Sequence, residues 1–156
     1  GALAVGALSA LAAGINMTGN IGAGRLLAHG VRPGMLLATG FCAMGLGSVV
    51  AFTAVGYPIA QYLAVLVFSS IGGLIPGTLF GLAVALAPGE DTVSTTVGWM
   101  QQFSALGQFI GPPLVAWVAT QAGGWQSTWW VTGASSVLGL LLAGRLQAAW
   151  RQRNVV

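Results

Sequence analysis

Residues 1–24, 33–89 and 92–144 contain no Asp, Glu, Lys or Arg, leaving charge-free runs of 24, 57 and 53 residues in a chain of 156. A soluble domain carries about a quarter charged residues to hold its surface in water. This chain carries 4%, with a mean hydropathy of +0.85, so a water-soluble globule is excluded. A helix needs roughly 20 apolar residues to cross a bilayer, so the first run holds one crossing and each of the others a hairpin of two. The predicted fold is all-α: a polytopic membrane protein with five transmembrane helices at about 1–22, 34–55, 59–86, 94–120 and 127–146.

Turn residues divide the long runs, Gly56-Tyr57-Pro58 in the second and Gly123-Gly124-Trp125-Gln126 in the third. Pro33 and Pro58 stand where a helix start tolerates a missing N–H, and Asp91 or Thr92 is placed to cap the fourth helix. Loops on the cytoplasmic side are enriched in Lys and Arg. With the 23–33 loop inside, five spans put Arg25, Arg32, Arg145, Arg151 and Arg153 all on the cytoplasmic side and the start of the segment outside. One span more or fewer between that loop and the tail would split the arginines. Tyr57, Tyr62, Trp125, Trp129 and Trp130 fall near the outer interface and Trp150 near the inner one, as an aromatic belt requires. The first methionine, Met17, lies inside a span and no basic leader precedes the first apolar run, so the sequence reads as the latter part of a longer protein.

The charged and metal-binding residues are too few for several function classes. A net charge of +3 cannot supply the row of phosphate contacts that nucleic acid needs. One cysteine, Cys42, precludes an internal disulfide, and one histidine, His29, argues against a four-ligand His/Cys metal cage. An intramembrane hydrolase would need a nucleophile with a base at membrane depth, whereas His29 sits in a loop between arginines. Neither enzymatic activity nor a cofactor is expected. No Asp, Glu, Lys or His falls inside a span and Arg145 stands at the inner end of the fifth, so a proton relay is not expected in this segment.

What remains is neutral polarity and glycine. On a helical projection of about 100° per residue, Ser9, Asn16 and Asn20 share one face of the first span, and Gln101, Ser104 and Gln108 share one face of the fourth. Polar side chains at this depth face protein or a watery cavity, which makes these six and the aromatic Trp99 the candidates for contact with a solute. Asn16 ranks above Asn20, which lies nearer the inner interface. Interhelical hydrogen bonding competes with the cavity reading at each position. In the third span Ser69, Gly73, Gly77 and Gly81 recur every four residues, a ridge that admits a close neighbour, and Pro76 cannot donate to the carbonyl of Gly72, which predicts a kink there. Close packing and a gating hinge are both open readings of that kink.

The loop Gly24-Arg25-Leu26-Leu27-Ala28-His29-Gly30-Val31-Arg32-Pro33 resembles the loop signature of the major facilitator superfamily of transporters. Gly24, Gly30 and Arg32 match, while Ala28 replaces the signature's Asp and the loop is one residue short. Gly98, Gly107, Gly111 and Pro112 similarly resemble a second superfamily motif, with Val115 and Ala116 in place of its closing glycines. That motif belongs to the fifth helix of drug/proton antiporters, of which the eleventh is the pseudo-repeat. The resemblance implies a partial C-terminal half-bundle, helices eight to twelve of twelve, with the N-terminal helices of the same transporter missing. It further implies a permease in the plasma membrane, of the bacterial inner-membrane kind, moving a small-molecule solute by alternating access. The helices carrying the Asn face, the glycine ridge and the Gln face are those this mapping sends inward. The competing expectation is a non-transporting helical scaffold that uses its glycine ridges to bind other helices in the lipid bilayer.

Overall fold

The computed structural model describes residues 1–153, and these form eight α-helices: α1 (Ala2–Gly14), α2 (Asn16–Ala28), α3 (Pro33–Thr53), α4 (Pro58–Gly72), α5 (Leu74–Gly81), α6 (Ala83–Leu86), α7 (Val93–Gln121) and α8 (Trp129–Arg153). Four stretches are long and apolar enough to cross a membrane: Ala2–Ala28, Pro33–Thr53, Pro58–Gly81 and Glu90–Gln121. Such helices are compatible with a membrane location. The predicted fifth span, 127–146, starts two residues before α8, which is long enough, but Trp129, Trp130, Ser135, Ser136 and Arg145 make that helix less apolar than those four.

Local chemistry explains the helix ends. Pro33 and Pro58 each occupy the first position of a helix. Gly30, Gly56 and Gly123 adopt φ of +80°, +88° and +71° in the three turns, a left-handed backbone that residues with a Cβ resist. Ala87 is extended because Pro88 follows it, which stops α6 at Leu86. Thr92 is the N-cap of α7, but its side chain does not cap the helix; its hydroxyl instead closes the preceding turn, accepting from the Gly89 N–H at 3.0 Å and donating to the Gly89 carbonyl at 2.8 Å.

The first and fifth spans differ from their predicted extents, the fifth because α8 runs on to Arg153, and the third differs in its course. The first continues to Ala28, so Gly24 and Arg25 lie in the last turns of α2 and the loop shrinks to residues 29–32. The third bends twice while staying helical, at Gly73 as Pro76 predicts, and again at Leu82, where the N–H lies within reach of the Thr78 carbonyl at 3.0 Å and the Leu79 carbonyl at 3.2 Å.

α3 is the centre of the bundle, packed between α8 on one side and α4 and α5 on the other, with α2 against α4 and α5. Small residues make many of these contacts, beside the buried Leu36, Leu37 and Leu82. The largest side chains that are fully buried are Thr78, Thr128 and Ser48, while Leu3, Leu46, Phe109 and Trp117 project outward, each more than half exposed. A soluble core has the opposite arrangement, whereas helices in lipid meet through small residues because lipid tails solvate leucine as well as protein does. Gly40 and Gly47 face α5 and α4, and Gly34 and Gly45 face α8, where the Gly34 N–H donates to Gln147 Oε1 at 2.7 Å.

Candidate functional site

The closest approach in the molecule is the seam of α2 against α4 and α5. A Cβ on Gly73 would strike the backbone carbonyl of Asn16, one on Gly19 the carbonyl of Ser70, and one on Gly77 would lie 2.7 Å from the carbonyl of Asn20. The ridge of the third span therefore presses directly on the helix that carries the two asparagines. That proximity lets Asn16 Nδ2 donate to the Ser69 carbonyl at 2.9 Å, while Asn20 Nδ2 donates to Asn16 Oδ1 at 2.9 Å and to the Asn16 carbonyl at 3.2 Å. Ser69 returns the contact through its hydroxyl, which donates to the Ala12 carbonyl, and higher up the Tyr62 hydroxyl donates to the Leu8 carbonyl at 2.9 Å.

Both asparagines are half-buried and their amide hydrogens bond within the bundle; Ser9 is exposed on α1. The geometry supports the packing role for Asn16 and Asn20 in this state. Replacing Asn16 with alanine removes the bond across the seam and should lower unfolding stability in detergent by about 1 kcal/mol, the usual worth of an interhelical hydrogen bond. A wild-type midpoint in the variant would refute the clamp.

Thr78, on α5, was not singled out by any sequence signal. It is fully buried and its Oγ1 has no hydrogen-bond partner among the described residues, which costs about 1–3 kcal/mol. It sits between the two bends of the third span, one residue past Gly77.

α7 is different in kind. Every residue from Gln101 to Ile110 is exposed, and a Cβ on Gly98, Gly107 or Gly111 would meet nothing within 4 Å. Pro112 and Pro113 lie inside this helix without ending it. Gln101, Ser104 and Gln108 do share a face, where Gln108 Nε2 donates to Ser104 Oγ at 3.3 Å. Trp99 does not share it. At about 100° per residue it projects to the opposite side of the helix, where Trp99, Gln102, Phe103 and Phe109 line a shallow depression of about 540 Å³. Gln102 is the polar residue of that side which the projection of the amide face left out. The rings of Trp99 and Phe103 lie 6.1 Å apart, tilted by 30°. One small solute therefore cannot touch Trp99 and the Gln face of this helix together.

Between α6 and α7, Glu90 and Asp91 form a single turn, and neither pairs with Arg25 or Arg32 among the described residues. His29 Nδ1 lies 2.8 Å from the Arg25 carbonyl, a local bond at the end of α2. Among the described residues no group of three His, Cys, Asp or Glu side chains gathers into a metal site.

No family model, no curated protein and no solved structure matches the chain.

Proposed function

We propose that the chain is the C-terminal part, helices eight to twelve, of a secondary transporter of the major facilitator type. In this reading α8 crosses the membrane as the fifth span, the arginines lie on the cytoplasmic side of a bacterial inner membrane, and α1 begins outside. The observation that carries the proposal is α7. An apolar helix of 29 residues bearing an exposed row of Gln101, Ser104 and Gln108 needs a water-filled cavity or another helix against that row, because lipid offers no hydrogen bonds. α1 supports the same conclusion, since neither Ala2–Ala28 nor Glu90–Gln121 has any residue buried within its most apolar part, against 28% in Pro33–Thr53. Those open faces are where the helices of the other half would close a two-sided pathway.

The bent third span supplies a means of movement: it bends at Gly73 and Leu82 while its backbone stays helical, and α5 between the bends carries an unpaired hydroxyl. A second arrangement that pairs Thr78 would recover the cost of burying it. Cysteines introduced at Gln101 and Gln108 in the full-length protein should be protected from a water-soluble thiol reagent by the transported solute. Equal labelling with and without every member of a broad solute panel would refute the cavity assignment and favour the scaffold reading, in which the row binds another helix permanently.

A further inference from the structure

Two apolar grooves of about 530 and 500 Å³ run along α8, and they share Leu142 and Arg145. The first lies on the outer surface of α8 between Leu138 and Ala148; the second lies between α8, Leu37 and Phe41 of α3, and Leu79 of α5. Leu142 is the crest between them, and Arg145 stands one turn further toward the inner end. The Arg145 side chain is exposed, and among the described residues its guanidinium has neither an ion-pair nor a hydrogen-bond partner. A planar cation flanked by leucine and alanine at the edge of the hydrocarbon needs an anion, and a phosphodiester accepts its paired N–H groups with matching geometry.

We propose that α8 holds one diacyl phospholipid with a net-anionic headgroup, its phosphate on Arg145 and one acyl chain in each groove astride Leu142. The inference rests on the membrane reading of α8. Charge complementarity selects the occupant: the chain has five arginines against two acidic residues, and both acids lie in the turn before α7. A zwitterionic headgroup brings its own cation to the site and competes with Arg145 for the phosphate, whereas phosphatidylglycerol does not.

The test is native mass spectrometry of the intact protein released from micelles doped with equal amounts of phosphatidylglycerol and phosphatidylcholine. The wild type should retain one phosphatidylglycerol in preference to phosphatidylcholine. R145Q should lower that retention about tenfold, the loss of one charge-assisted contact. L142W, which fills the grooves and keeps the charge, should lower it as well, and R151Q should leave it unchanged. Equal retention of the two lipids, an unaltered R145Q, or equal losses in R145Q and R151Q would overturn the site. A companion measurement separates that failure from failure of the membrane reading. Leu138→Cys in a Cys42→Ser background should resist a membrane-impermeant maleimide in vesicles; labelling would mean that α8 is not embedded, and both would fall.

Discussion

Leucine at position 73 should destabilise the bundle by about 3 kcal/mol, the upper end for overpacking, whereas leucine at position 107 should leave stability within about 0.5 kcal/mol of the wild type. Both residues are glycines on apolar helices, and composition gives no reason to separate them. The structure does. A side chain at Gly73 runs into the Asn16 carbonyl and lies close to Gly19, backbone against backbone, with no flexible group to yield. Relief requires moving the end of α4 with α5 off α2, which also breaks the Asn16 bond to Ser69. Around Gly107 there is nothing within 4 Å, and leucine is the better helix former. Unfolding midpoints in detergent for Gly73→Leu, Gly19→Leu and Gly107→Leu would show the contrast; three similar midpoints would mean that the α2 seam is not where the bundle is held.

This division of the glycines lay beyond the sequence. Spacing of four along a helix marks a ridge, but which partner occupies it is a tertiary fact, and the ridge of the third span and the glycines of α7 look alike until α2 is placed. The spans themselves were more legible. Pro33 and the turn residues set 34–55 and 94–120 within about two residues of α3 and α7. The first span was read as ending at 22 and ends at Ala28 because hydropathy follows the edge of the lipid while the helix follows backbone bonding, and Asn20 and Arg25 lower the one without breaking the other. The same difference carries α8 past 146. Pro76 marked the bend at Gly73, since a missing donor is a property of one residue. Leu82 carries no such mark: it has its backbone donor and a side chain like its neighbours'.

Site residues divide along the same line. Gln101, Ser104 and Gln108 could be put on one face from helical periodicity, and the Gln108 bond to Ser104 has the matching geometry. The carbonyl that takes up Asn16 belongs to Ser69, 53 residues away, and no local pattern pointed to it.

That difference between the two polar faces leads to the other large expected effect. Asn16 and Asn20 spend their amide hydrogens inside the bundle, so substituting them mixes structural loss with any loss of function. Gln101 and Gln108 spend theirs on nothing beyond Ser104, and both are exposed. Replacing both with leucine should therefore keep the unfolding midpoint of this chain within about 0.5 kcal/mol of wild type, as surface substitutions do. On the transporter reading proposed above, the same pair in the full-length protein should lower solute uptake at least about tenfold, since two neutral hydrogen bonds to a desolvated solute are each worth about 1 kcal/mol or more. Asparagine at both positions keeps the amide and shortens the reach, so it should retain part of the uptake. Unchanged uptake by the leucine pair, measured with protein of wild-type abundance, would leave α7 as a packing helix and remove the amide face from the pathway. A midpoint that falls with the uptake would point the same way, because the row would then be binding a helix.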